Sequence, residues 1–108
     1  MRRYKVFLDN EAEDDLLDIY RYVAANDSIR QADRVLAALT QACQKLRTVP
    51  LRGHIPPELE RIGVPDFREV RYKPYRIFYS VQKRTVFIHC ILDGRRDLQT
   101  LLQERLIR

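Results

Sequence analysis

Three apolar runs toward the C-terminal end, FREVRY, YRIFYSVQ and TVFIHCIL, are separated only by Lys73-Pro74 and Lys83-Arg84. Connections that short leave no room for a crossover, so residues 67–72, 75–82 and 85–92 are predicted to form an antiparallel meander. Alternation along the runs divides them into two faces. Val70, Tyr72, Tyr75, Ile77, Tyr79, Val81, Val86, Ile88, Cys90 and Leu92 make the more apolar face, expected to pack on helices. Glu69, Arg71, Arg76, Phe78, Ser80, Phe87, His89 and Ile91 make the other. Its mixture of charge, histidine and phenylalanine marks it as the candidate working surface.

The meander needs an apolar cover, and the N-terminal half supplies one. Residues 4–8 read as a strand that ends at Asp9-Asn10, where Asn10 and Glu13 have capping-box spacing. Ala12, Leu16, Ile19, Tyr20 and Val23 then recur at helical spacing. After Asn26-Asp27, Ser28 and Gln31 offer a second capping box before Ala32, Val35, Leu36, Leu39, Cys43 and Leu46. Two helices joined so tightly form an antiparallel hairpin. Residues 50–66 hold four of the five prolines and two of the three glycines, which disfavours regular structure beyond one turn near residues 57–61. Leu98, Leu101, Leu102 and Leu106 predict a short terminal helix, with Asp97 as its N-cap. The expected fold is α+β: an N-terminal strand, a helical hairpin, a three-stranded antiparallel meander completing one sheet, and a C-terminal helix.

At 108 residues the chain suits one domain over residues 1–108. With 45% apolar and 32% charged residues it belongs with globular rather than disordered chains. After the basic MRRYK start, the apolar run Val6-Phe7-Leu8 is too short for a signal peptide or a membrane span, so a cytoplasmic location without membrane contact is expected. Cys43 and Cys90 lie in apolar surroundings without metal-ligand spacing, and they read as reduced, buried thiols. No metal or cofactor is expected. Charge is unevenly spread: residues 1–66 carry 10 basic and 11 acidic side chains, net −1, and residues 67–108 carry 10 and 4, net +6. The C-terminal part therefore favours an anionic partner.

FREVRYKPYRIFYSV (residues 67–81) and VFIHCILDGRRDLQTLL (residues 86–102) resemble two elements of the RelE/ParE superfamily of type II toxin-antitoxin toxins, and most closely its ParE branch. The order of elements agrees along nearly the whole chain. Asp93 departs from the pattern, since a histidine often precedes Gly-Arg-Arg in ParE-like members. The resemblance implies a cognate antitoxin with an acidic C-terminal segment that wraps the toxin in a hetero-oligomer, and DNA gyrase as the target, inhibited by binding.

The superfamily's other branch implies a different activity, metal-independent cleavage of mRNA on the ribosome. That chemistry needs a base near the 2′-hydroxyl, cations for the phosphorane and an acid for the leaving oxygen. Arg71, Arg76 and Arg96 fall where such nucleases keep cations. The lysines of the pattern align with Phe67 and Glu69, and its tyrosine with Leu102. A substitute set of Glu69 as base and His89 as acid, with Arg71, Arg76 and Arg96, is the alternative reading. Against it, a strand histidine is more often a hydrogen-bonded structural residue, and Glu69 between Arg68 and Arg71 suits an ion pair. The expected target- or antitoxin-binding residues are Arg71, Arg76, His89, Arg95 and Arg96. A third reading is a non-toxic member that acts only as corepressor with its antitoxin.

Overall fold

The computed structural model describes residues 3–107; residues 1, 2 and 108 of the expected domain lie outside the described part. The elements are β1 (Lys5–Leu8), α1 (Asn10–Asn26), α2 (Ile29–Lys45), the one-turn α3 (Pro57–Glu60), β2 (Arg68–Tyr72), β3 (Tyr75–Gln82), β4 (Thr85–Asp93) and α4 (Gln99–Leu106). The strands form one sheet in the order β1-β4-β3-β2. β2, β3 and β4 are the expected antiparallel meander. β1, whose place alternation could not assign, runs parallel to β4 with Val6 beside Val86 and Leu8 beside Ile88. The helical hairpin carries the chain across the sheet, from β1 at one edge toward β2 at the other.

Local signals set the helix starts, with two corrections. The α1 N-cap is Asp9, not Asn10: Asp9 is extended (φ −73, ψ 170), and its Oδ1 accepts the Ala12 N–H at 3.0 Å, while Asn10 is already helical. Ser28 caps α2 as expected, its Oγ accepting the Gln31 N–H at 3.0 Å. Asp97 Oδ1 does accept the Gln99 N–H at 3.1 Å, but Leu98 holds the N-cap position of α4 and supplies no side-chain cap.

α1 and α2 bury Ala12, Val35, Leu39, Cys43 and Leu46 against Tyr75, Ile77, Tyr79, Val86, Ile88 and Ile91. Each fully buried large apolar side chain of this kind contributes roughly 1.5–3 kcal/mol. The predicted face holds along β3 and for the first half of β4, then fails. Tyr79 pairs with Ile88 but Phe78 pairs with Cys90, so His89 is an extra residue in β4, a β-bulge. One inserted residue shifts the alternation by one. Cys90 and Leu92, expected against the hairpin, therefore turn to the opposite face, and Ile91 takes the hairpin side.

That opposite face differs more deeply from expectation. Leu59 of α3 with Leu98 and Leu102 at α4 cover Phe78, Cys90 and Leu92, joined by Val64, Phe67, Leu101 and Leu106 at the margin. Phe78, expected on the working surface, thus lies in a second core. The leucine spacing of residues 98–106 has its physical reason here, because α4 must bury its apolar stripe somewhere and the hairpin already occupies the other face.

Candidate functional site

Arg76 projects from β3 into the second face and is 6% exposed. Its guanidinium is shared by two carboxylates. Nε and Nη2 donate to Glu69 Oε1 and Oε2 at 2.8 and 2.6 Å, and Nη1 and Nη2 donate to Glu58 Oε2 and Oε1 at 2.7 and 2.8 Å. Its carbon also lies 4.9 Å from the centre of the Phe78 ring, a cation–π contact. Glu69, on β2, is fully buried. Arg71 Nε donates to its Oε1 at 3.1 Å, and His54 Nε2 lies 3.4 Å from its Oε2. The planar fork of arginine explains why β3 carries Arg rather than Lys at this position: only a fork satisfies two carboxylates at once.

The two carboxylates are held in the ionised form. Arg76 hydrogen bonds pull Glu58 below the ordinary value of 4.5. Burial alone would raise Glu69, but hydrogen bonds and charge from Arg76 and Arg71 outweigh it and leave Glu69 lowered from the same 4.5. Groups depressed in the fold carry stabilisation that is fully present above the unfolded value and lost as pH falls through the folded one. Asp15 works in the opposite sense, since burial raises it above 3.8 despite bonds from Arg105 and the Ile91 N–H. With Glu58, Glu69 and Asp93 depressed against Asp15 alone raised among the described carboxyl groups, the melting temperature should fall as pH drops below the glutamate value of 4.5. Thermal melts from neutral pH to about 3 check this, and a flat profile would contradict it.

His89 stands apart from this network. Its Nε2 is 2.7 Å from Ser80 Oγ, its Nδ1 is 3.3 Å from Asp9 Oδ2, and its ring meets Phe67 edge-on at 5.4 Å. Among the described residues no hydrogen bond, ion pair or ring contact joins it to Glu69. The structure brings Glu69, Arg71 and Arg76 together and leaves His89, Arg95 and Arg96 outside that cluster.

Arg95 and Arg96 occupy the corner after β4. The Gly94 N–H donates to Pro74 O at 2.7 Å, and a Cβ at Gly94 would meet the Arg76 side chain at 2.7 Å and Pro74 O at 2.9 Å. Glycine at that point lets the corner close onto the β2–β3 turn and over the buried arginine. Arg95 is held by its own strand end, Nε and Nη2 donating to Asp93 Oδ1 and Oδ2 at 3.0 and 2.6 Å, yet its side chain is 69% exposed. Arg96 is exposed, and its guanidinium makes no hydrogen bond or ion pair among the described residues. Of the five expected binding residues, Arg71, Arg95 and Arg96 reach solvent freely, His89 does so in part, and Arg76 does not. The continuous cationic surface is thereby reduced to an exposed corner around a buried clasp.

Three carboxylates of the site escaped sequence reasoning. Glu58 sits behind two prolines in a loop without periodicity, and only the need of a buried arginine for a second anion points to it. Glu11 and Asp15 share a helix face and receive Arg105 of α4 at 2.7 Å each. Their four-residue spacing was the available signal. Asp15 Oδ2 also accepts the Ile91 N–H at 2.9 Å, satisfying β4 beyond the end of β1.

Cys43 and Cys90 are unpaired and buried, and burial pushes both thiols up to about 12, which removes them as nucleophiles. Among the described residues no group of three or more His, Cys, Asp or Glu side chains is arranged to hold a metal ion, and no helix is long and apolar enough to cross a membrane.

A helical hairpin packed on one face of a four-stranded sheet, with α3 and α4 over part of the other beside a buried arginine, defines a small α+β fold. The family described as ParE toxin of type II toxin-antitoxin system, parDE, matches residues 6–98, and the chain belongs to it. Among solved structures, the fold is similar to a chain of the chromosomal ParDE system from P. aeruginosa, with a TM-score of 0.71 and 18% identity over 84% of this chain and 96% of that one. It is also similar to a chain of the RelBE2 toxin-antitoxin complex from Mycobacterium tuberculosis, with a TM-score of 0.65 and 24% identity over 86% and 93%. A comparison with curated protein sequences gave no match. The chain is a toxin of a type II toxin-antitoxin system.

Proposed function

We propose that this toxin acts by binding rather than by chemistry, that its target is DNA gyrase, and that a cognate antitoxin neutralises it in a hetero-oligomer in the bacterial cytoplasm. The state of Glu69 carries the first part. A general base must reach the proton it removes, whereas Glu69 is 0% exposed with both oxygens on arginine. Arg76, the cation nearest to it, is 6% exposed and already neutralised by Glu58 and Glu69, which hold four of its five N–H donors away from a phosphorane. His89 would have to act without either. Family membership and the ParE-like Gly94-Arg95-Arg96 corner support gyrase as the target.

The antitoxin reading rests on the similar structures, one a ParDE system and one a RelBE2 complex. It also rests on the outer groove of the hairpin, lined by Leu16, Leu17, Tyr20, Asp33 and Leu36, where Leu17 is 46% and Leu36 37% exposed. An amphipathic segment would bury them.

Arg96→Ala should weaken inhibition of gyrase supercoiling about tenfold, the size of one lost charge-assisted contact. Its melting temperature should stay unchanged, because the side chain holds nothing in the fold. Titrating wild type and variant against purified gyrase reads this directly. Equal inhibition by both would remove the corner from the contact, and overexpression without any growth defect would favour a corepressor instead.

A further inference from the structure

The second sheet face is only half covered. α3 and α4 close over Phe78, Cys90 and Leu92, while nearer the β3–β4 turn Phe7 is exposed and Phe87 and His89 are half-buried. There the strand register places Phe7 beside Phe87, and Phe87 beside Ser80. The Phe7 and Phe87 rings meet edge-on at 5.9 Å, and His89, on Ser80 Oγ, meets Phe67 at 5.4 Å. Four rings, from β1, β4 and Phe67 just before β2, thus lie along one face. Phe7 is 54% exposed, and the His89 side chain 25%.

Cations rim this row. Lys5 lies two residues before Phe7 on the same face of β1, beside Thr85, and Lys83 and Arg84 form the β3–β4 turn. All three are exposed, and no ion pair neutralises them among the described residues. Asp9 touches the row, and both its oxygens are engaged, Oδ1 by the Ala12 N–H and Oδ2 by His89.

One exposed ring, Phe7, continued by the half-buried Phe87 and His89 beside unpaired cations, meets the two requirements of a single nucleic-acid strand, a flat surface for its unstacked bases and positive charge for its phosphates. A duplex hides its base faces and has use only for the cations. We propose that this half of the sheet, through Phe7, Phe87 and His89 with Lys5, Lys83 and Arg84, binds single-stranded nucleic acid. The proposal is independent of the gyrase reading, since it uses neither the hairpin groove nor the Arg95-Arg96 corner.

Fluorescence anisotropy on the full chain tests it with labelled oligo(dT), oligo(U) and a duplex of matching length. The single strands should bind at least about tenfold more tightly than the duplex, and their ratio reports the preference between DNA and RNA. Phe7→Leu, which keeps the apolar bulk but removes the flat ring, should weaken single-strand binding about tenfold, and Phe7→Tyr should retain it. Three phosphate contacts imply a log–log salt slope of about −2, which Lys5→Glu should flatten. Arg30→Glu, on α2, should change nothing. Wild-type protein that ignores both single strands, that binds duplex equally well, or that is indifferent to Phe7→Leu would overturn the proposal. Loss of a protein contact in Phe7→Leu without single-strand binding by wild type would do so in favour of a protein partner.

Discussion

Replacing Arg76 by methionine should lower the unfolding free energy by on the order of 3–5 kcal/mol, the usual cost of removing one partner from a buried ion cluster. Methionine fills much of the space, so packing is not the main loss. The cost arises because Glu69, fully buried, keeps its charge and loses both bonds from Arg76. Arg71 remains, but its side chain is half in solvent and offers one bond at 3.1 Å. Glu58 should matter less: its side chain is 14% exposed on a one-turn helix, and it can turn toward water. Replacing Glu69 by leucine together with Arg76→Met should recover part of the loss, because the double change removes the stranded charge. Urea denaturation measures all three proteins. A shift in midpoint at constant slope is expected, and a single mutant as stable as wild type would contradict the ion-cluster account.

Gly53→Ala should be nearly as damaging, by about 3 kcal/mol, the upper end for forcing extra volume into a packed site. A Cβ there would lie 2.5 Å from the Glu69 carbonyl oxygen and 2.6 Å from the Tyr79 hydroxyl. Neither neighbour can give way cheaply. The Glu69 backbone is pinned on one side by the His54 bridge and on the other by β3. The Tyr79 hydroxyl accepts the Gly53 N–H at 3.0 Å and donates to Pro50 O at 2.8 Å, which fixes the loop to the first core. For a chain of this size the melting temperature should fall by about 10–20 °C. Gly63→Ala is the control: nothing lies within 4 Å, and only its φ of +74 opposes the change. It should cost about 1 kcal/mol.

The meander and the hairpin were legible because their signals are local. Tyr75–Gln82 is bounded by two-residue turns and coincides with the predicted strand, and Ser28 caps α2 where spacing placed it. Three features were not legible, for one reason each. The bulge at His89 adds a residue without altering composition or turn chemistry, so alternation carried Cys90 and Leu92 to the wrong face. The partner of Arg76 depended on a loop whose path has no periodicity, so Glu58 was invisible and the arginine looked available. Both misreadings pointed the same way, toward an open cationic sheet face, where the chain instead builds a second core. The parallel pairing of β1 with β4 had no local signal either, being a contact between opposite ends of the chain.

The central claim, a toxin that binds gyrase and does no chemistry on RNA, is tested most directly by one preparation in two assays. The purified protein should block supercoiling by gyrase and leave mRNA intact in a translating extract. Normal supercoiling together with rapid mRNA cleavage would contradict it.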